Sequence, residues 1–227
     1  MTDIIVTHLN RVRDDITRAA DSAGRDPASV RLLAVSKTLP ADVIRRAYDA
    51  GQRLFGENRV QDLCGKCDDL PPDCEWHFIG PLQKNKVRQA VRVVDWVHSL
   101  DSVSLVERVN RIAAEENRSL NALVQVNISG EVTKHGCAPA AAAAVVEAAA
   151  RSPRLTPRGL MTIAPWQASE EELRRVFRGL RVLRDTLEDQ TGLDLPELSM
   201  GMSGDFPIAI AEGATLVRIG TAIFGPR

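Results

Sequence analysis

The 227-residue sequence has no apolar run approaching the ~20 residues needed to cross a bilayer. Its start, MTDIIVTHLNRVRDDI, places Asp3, Asp14 and Asp15 where a signal peptide needs unbroken apolar chain, so the cytoplasm is the expected compartment. An excess of one charge is also lacking. Twenty-nine Lys+Arg against 30 Asp+Glu leave a net charge of -1, so nothing in the balance asks for nucleic acid or an anionic membrane, and a small, locally complementary ligand fits better. Cysteine is scarce, and Cys64, Cys67, Cys74 and Cys137 are expected to stay thiols. Cys64 and Cys67 form a C-x-x-C. The segment RVQDLCGKC reads as a helix, however, and no Cys or His pair stands at finger-like spacing, so ordinary thiols are expected rather than a redox pair or half a zinc site.

What is present is an average globular composition, 44% hydrophobic and 26% charged, arranged as short β-prone runs alternating with helical stretches. Eight strands are expected: Arg31 to Ser36, Arg53 to Glu57, Glu75 to Ile79, Asp95 to Ser99, Asn121 to Asn127, Arg154 to Met161, Leu195 to Met200 and Thr215 to Gly220. An amphipathic helix carrying Ile5, Leu9, Val12 and Ile16 on one stripe precedes them and is expected to close one barrel end. Pro40 opens and Gly51 stops one helix, Ser169 opens another, and the alanine-rich run Ala138 to Ala150 reads as a packed helix with Pro139 in its first turn. Strands separated by helices imply parallel pairing. Eight such units point to an α/β fold, a (β/α)8 TIM barrel with an extra N-terminal helix, forming one domain over residues 1–227. The other candidate, an open doubly wound sheet, would favour a glycine fingerprint after its first strand, where Ser36-Lys37-Thr38-Leu39-Pro40 stands instead.

In such a barrel the chemistry gathers at the strand C-termini, and these carry Lys37, Asn58, His77, His98, Ser99, Asn127, Ser199 and Arg218. A lone His or Asn among them can equally be a loop residue satisfied by backbone. Lys37 continues an apolar strand, so it is expected to be buried in the mouth. Desolvation, or a cation such as Arg218, would then leave a neutral amine suited to Schiff-base chemistry; the alternative is a structural pair with Glu57. Glycine-containing turns follow the last two strands, with Ser203, Gly204 and Asp205 opening one helix and Gly220 and Thr221 facing them. Free backbone N–H groups and hydroxyls there suit a phosphate. A carbonyl at one end and a phosphate at the other fit two ligand classes, pyridoxal 5′-phosphate or a phosphosugar of a Schiff-base aldolase. Arg218 separates them, because a permanently charged arginine can face a pyridine nitrogen and keep it unprotonated, which makes the ring a weak electron sink.

The blocks LLAVSKTLPADVIRRAYDAGQRLFGENRVQDL, WHFIGPLQKNKV, VQVNISGE, GLMTIAP and LSMGMSGDFPIAIAEGATLVRIGTAIFG closely resemble the pyridoxal phosphate homeostasis protein family (YggS/PROSC-like) over nearly the whole chain. The resemblance implies a barrel like the N-terminal domain of alanine racemase. It implies that Lys37 of VSKT forms the aldimine, that Asn58 of FGEN lies close to the cofactor, and that Ser203 and Gly204 of MSGD with Gly220 and Thr221 of RIGTA cradle the phosphate. Arg218 of VRIG is implied as the partner of the pyridine nitrogen, with His77 and Met161 lining the pocket. The sequence departs from the family in the loop Val132-Thr133-Lys134-His135-Gly136, where Lys134 keeps a positive charge.

The implied role is that of a non-enzymatic carrier, a monomer that stores the cofactor and delivers it to pyridoxal phosphate-dependent apoenzymes. Racemisation needs an acid–base group on each ring face, and the racemase takes a tyrosine from a second domain. Here the eighth unit runs to Arg227 and the one tyrosine, Tyr48, belongs to the first crossover helix, expected to face away from the mouth. The competing expectations are an amino-acid racemase using His77 or water on the opposite face, and the aldolase.

Overall fold

The structure is a computed structural model and describes residues 3–131 and 133–226. All eight expected strands form, with ends trimmed or shifted by a residue or two: β1 Arg31–Val35, β2 Leu54–Glu57, β3 Glu75–Phe78, β4 Trp96–Leu100, β5 Leu120–Gln125, β6 Leu155–Met161, β7 Glu197–Ser199 and β8 Leu216–Ile219. They close in sequence order into a parallel barrel, with β1 paired to both β2 and β8. The doubly wound alternative is thereby excluded.

Helices cross over between the strands: α2 Ala41–Asp49, α3 Val60–Cys67, α4 Val87–Val93, α5 Val103–Glu115, α6 Ala142–Ala150, α7 Glu170–Thr191, α8 Phe206–Ala211 and α9 Thr221–Phe224. Their ends follow the sequence punctuation. Ser169 accepts from Glu172 N at 3.3 Å and three glutamates crowd the first turn of α7, while Gly192 at φ 67° ends it. The alanine-rich run begins with a 3-10 turn at Pro139–Ala141, so its α-helix starts only at Ala142.

The N-terminal helix α1, Ile4–Ser22, buries Ile5, Leu9, Val12, Ile16 and Ala20, as its stripe requires. It does not close a barrel end. It packs in the outer ring against α2, α8 and α9, because α9 is a single turn of 4 residues and would leave the flank of β8 and β1 bare. Four large apolar side chains on the stripe supply about 1.5–3 kcal/mol each on burial. Polar pins fix the helix in place: Asp3 caps it and pairs with Arg46 of α2, and Arg13 Nη1 donates to Ala50 O at 3.0 Å.

The main apolar core lies between strands and helices, whereas inside the barrel Trp96, Leu123 and Met161 form only a small separate cluster. In β6 the register against β5 shifts at Ala122/Leu123, opposite Pro157 and Gly159. Proline cannot donate to the ladder, and a bulge absorbs the missing bond. Gly159 sits at φ 147°, and a Cβ there would stand 1.9 Å from Glu197 O. Gly159→Ala should therefore cost about 3 kcal/mol from strain and overlap together; urea denaturation reads this directly, and an unchanged midpoint would contradict it.

Candidate functional site

Polar groups fill much of the barrel axis, where branched aliphatic residues usually sit. His98 Nδ1 lies 3.1 Å from Ser199 Oγ; β4 and β7 are not neighbours in the barrel, so this contact crosses the interior. His77 Nδ1 meets His98 Nε2 at 2.8 Å, and His77 Nε2 meets Glu75 Oε1 at 2.8 Å. Arg218 donates through Nη1 to Ser199 Oγ and through Nη2 to Thr162 O, both at 2.8 Å, placing its guanidinium at the level where β6 and β7 end. Among the described residues no carboxylate forms a salt bridge with it. Burial pushes its pKa down to about 10, the Asp205 carboxylate opposing this, so it remains charged at neutral pH.

Lys37 stands at the rim, but it is exposed rather than buried. The strand stops at Val35, and Ser36 to Leu39 form a turn closed by Leu39 N donating to Ser36 O at 3.1 Å. Thr38 holds φ 63° in that turn, an outlier for a β-branched residue. The turn takes Lys37 beyond the end of the buried strand, where the residue is exposed. Lys37 does not pair with Glu57. The buried Glu57 Oε1 accepts instead from Lys66 Nζ at 2.7 Å and Ser36 Oγ at 2.8 Å, while burial raises its pKa and Lys66 pulls it back. Two buried acceptors beside this corner, Glu57 Oε2 and Asn58 Oδ1, have no protein partner. Gly80 presses against Asn58, since a Cβ there would lie 2.2 Å from its carbonyl oxygen.

Next to this corner, because β8 pairs with β1, the two last loops meet. Ala222 N donates to Ser203 Oγ at 3.4 Å, joining the loop after β7 to the start of α9. Asp205 N and Phe206 N both donate to Met202 O, so Ser203 and Gly204 lie in the turn that precedes the N-cap of α8. A Cβ on Gly204 would meet nothing within 4 Å. Arg218 N donates to Gly201 O at 2.9 Å, tying the loop to the strand that carries the arginine. The exposed Lys37, the turns after β7 and β8 and the buried Arg218 guanidinium lie on neighbouring strands and together suit an anionic ligand that carries a further acceptor.

The alanine racemase N-terminal domain family matches residues 7–227. The pyridoxal phosphate homeostasis protein of Pseudomonas aeruginosa is 47% identical over 226 residues, covering 98% of this chain and 96% of that protein. That of Aquifex aeolicus is 44% identical over 220 residues, 96% of each. The chain belongs to the pyridoxal phosphate homeostasis protein family. Among solved structures, PipY of Synechococcus elongatus with PLP bound is 45% identical, covers 92% of this chain and 100% of that one, and superposes with a TM-score of 0.82.

Within this family frame the expected residues divide into two groups. Lys37, Asn58, Ser203, Gly204, Thr221 and Arg218 all come from strand ends and the loops after them, with Gly220 closing the turn into α9. His77 and Met161, expected to line the pocket, are instead fully buried in the interior, and both nitrogens of His77 are engaged. Asn127 is the loop residue its alternative described: Oδ1 accepts from Ser129 Oγ and Gly130 N, and Nδ2 donates to Glu131 O. In the departing loop Lys134 pairs with Glu131 at 2.7 Å and reaches Ile163 O at 3.4 Å, while Val132 lies outside the described residues. Tyr48 donates to Asp73 Oδ1 at 2.6 Å, in the loop entering β3 and so at the end remote from the mouth. The thiols are free, and burial pushes Cys67 up to about 12, far from a reactive thiolate. Lys66 and Thr162 were not singled out in the sequence, because a helix lysine and a backbone carbonyl carry no motif.

Burial lowers the pKa of His77 and lowers that of His98 well below its ordinary value. The unfolded chain therefore binds more protons once the pH drops below the usual histidine value of about 6.5. Stability should fall on acidification, by up to roughly 1.4 kcal/mol per histidine at pH 5.5. Urea midpoints at pH 7.5, 6.5 and 5.5 measure this, and a flat profile would show that the rings are not held neutral.

Proposed function

We propose that this protein binds pyridoxal 5′-phosphate in the mouth of its barrel, holds it covalently through Lys37, and serves to keep and hand over the cofactor rather than to turn over amino acids. The observation that carries the reading is Arg218, a buried cation with no salt-bridge partner among the described residues, on the strand between the Lys37 turn and the loop after β7. A guanidinium so placed would be stabilised by a further acceptor supplied by a ligand. The relative PipY, whose structure has PLP bound, supports the choice of ligand.

When bound, the cofactor contributes an aldehyde that forms a reversible imine with an amine. Lys37 supplies that amine, and its exposed position lets an incoming amine reach the same carbon, as delivery to an apoenzyme requires. Ser203, Gly204 and Thr221 hold the phosphate with hydroxyls and open amides, Asn58 contributes its unpartnered side-chain oxygen, and Arg218 donates to the ring nitrogen. A permanently charged donor there leaves that nitrogen unprotonated, which weakens the ring as an electron sink. His77, the second base of a racemase reading, is fully buried and bonded at both nitrogens, and Tyr48 is at the other end of the barrel. Both weigh against racemisation. The absence, among the described residues, of any helix long and apolar enough to span a membrane agrees with work on a small dissolved ligand.

Purified protein titrated with pyridoxal 5′-phosphate should acquire visible absorbance, and borohydride should fix the label on Lys37. Lys37→Ala should lose that label entirely; its persistence would remove the assignment. Incubation with L-alanine in deuterated water should give no sustained exchange at Cα, and steady turnover would restore the enzyme reading.

A further inference from the structure

We propose that Glu75, His77, His98 and Ser199 are positioning residues for Arg218, forming a one-directional hydrogen-bond relay across the barrel that holds the guanidinium turned towards the mouth. This rests on the reading that Arg218 meets the cofactor's ring nitrogen, and the measurements below separate the two.

The relay has one self-consistent polarity. The bond from His77 holds the Glu75 carboxyl below its usual range, so Glu75 is an ionised, acceptor-only group. His77 Nε2, 2.8 Å from Glu75 Oε1, must therefore carry a hydrogen. A neutral His77 then has a bare Nδ1, which accepts from Nε2–H of His98 at 2.8 Å. Neutral in its turn, His98 presents a bare Nδ1 to the Ser199 hydroxyl at 3.1 Å. The serine spends its hydrogen on His98 and keeps a lone pair for Arg218 Nη1–H at 2.8 Å. Adding a proton to His77 at Nδ1 would reverse the His77–His98 and His98–Ser199 bonds and make Ser199 accept from both His98 and Arg218.

The rest of the interior fixes this arrangement. His77 stacks on Trp96 with ring centroids 5.2 Å apart and planes 6° from parallel. Arg31 of β1 lies over the same Trp96 ring at 5.4 Å, ion-pairs with Glu197 of β7 at 2.7 Å and approaches Glu75 at 4.0 Å. The charged groups acting on the two histidines are Glu75, Arg31, Asp95 and Arg218. A purely structural filling of this space would use branched aliphatic residues and avoid the desolvation of five polar groups. A chain that begins on a carboxylate and ends on the site's cation is explained by what it does to that cation.

The first measurement needs no cofactor. In whole protein labelled with 15N-histidine, the ring-nitrogen shifts at pH 7.5 should show His77 and His98 as neutral, Nε2-protonated rings, and Ser199→Ala should move the His98 Nδ1 signal. An imidazolium or an Nδ1-protonated ring at either position overturns the relay. In the second, Ser199→Ala and His98→Leu should weaken pyridoxal 5′-phosphate binding about tenfold or more, as expected for losing a hydrogen bond to a charged group. They should also shift the pH profile of the bound chromophore's absorbance, and Ser199→Thr should restore both properties. A folded Ser199→Ala protein with unchanged affinity and profile overturns the proposal. Should the variants not fold, the histidine shifts of the unaltered protein decide. Failure of the underlying reading looks different: the unaltered protein would take up no label at Lys37 while the two rings kept the stated tautomers.

Discussion

A guanidinium buried in the axis of the barrel, with no salt-bridge partner among the described residues, is the constraint around which the rest is arranged. Removing such a charge from water costs several kcal/mol even after relaxation. Two protein acceptors, Ser199 Oγ and Thr162 O, recover part of that, and the polar groups behind Ser199 exist in the interior because an aliphatic wall would leave the cation stranded. Under the proposed function a ligand acceptor at the mouth would complete the set, so the same desolvation that burdens the free protein would favour binding.

The second half of the site follows from how short the last two units are. β7 has 3 residues, α8 has 6 and α9 has 4. Short elements place helix starts, with their unsatisfied amides, close to the ends of β7 and β8, where Ser203 and Ala222 bring the two loops together. The same brevity leaves the outer ring incomplete, and α1 supplies the missing apolar face. An anion-holding turn and a displaced N-terminal helix are thus two consequences of one local economy of chain.

Lys37 works differently from the desolvated lysine that its apolar strand suggests. Its turn is strained at Thr38 and Lys37 is exposed, while the buried lysine of this corner is Lys66, held by Glu57 and Ser36. Under the proposed function an exposed amine would suit exchange better than retention. Lys37 is placed by backbone conformation, and the buried Lys66–Glu57 pair bonds the ends of β1 and β2 beside that turn.

The alternation of β-prone and helical runs was enough to reveal eight strands in order, because a parallel barrel needs only local periodicity and short crossovers to be specified. Capping at Ser169, the stripe on α1 and the glycine turns of the last loops were legible for the same reason: each is a property of a few consecutive residues. Lys37, Ser203, Gly204 and Arg218 could be named from their motif blocks, since they sit where strands end. The placement of α1 in the ring, the exposure of Lys37, the partnership of Glu57 with Lys66 and the burial of His77 were not legible. Each depends on groups tens of residues apart that meet only when the barrel closes, so local sequence determined which elements form and tertiary closure decided which polar side chains must satisfy one another.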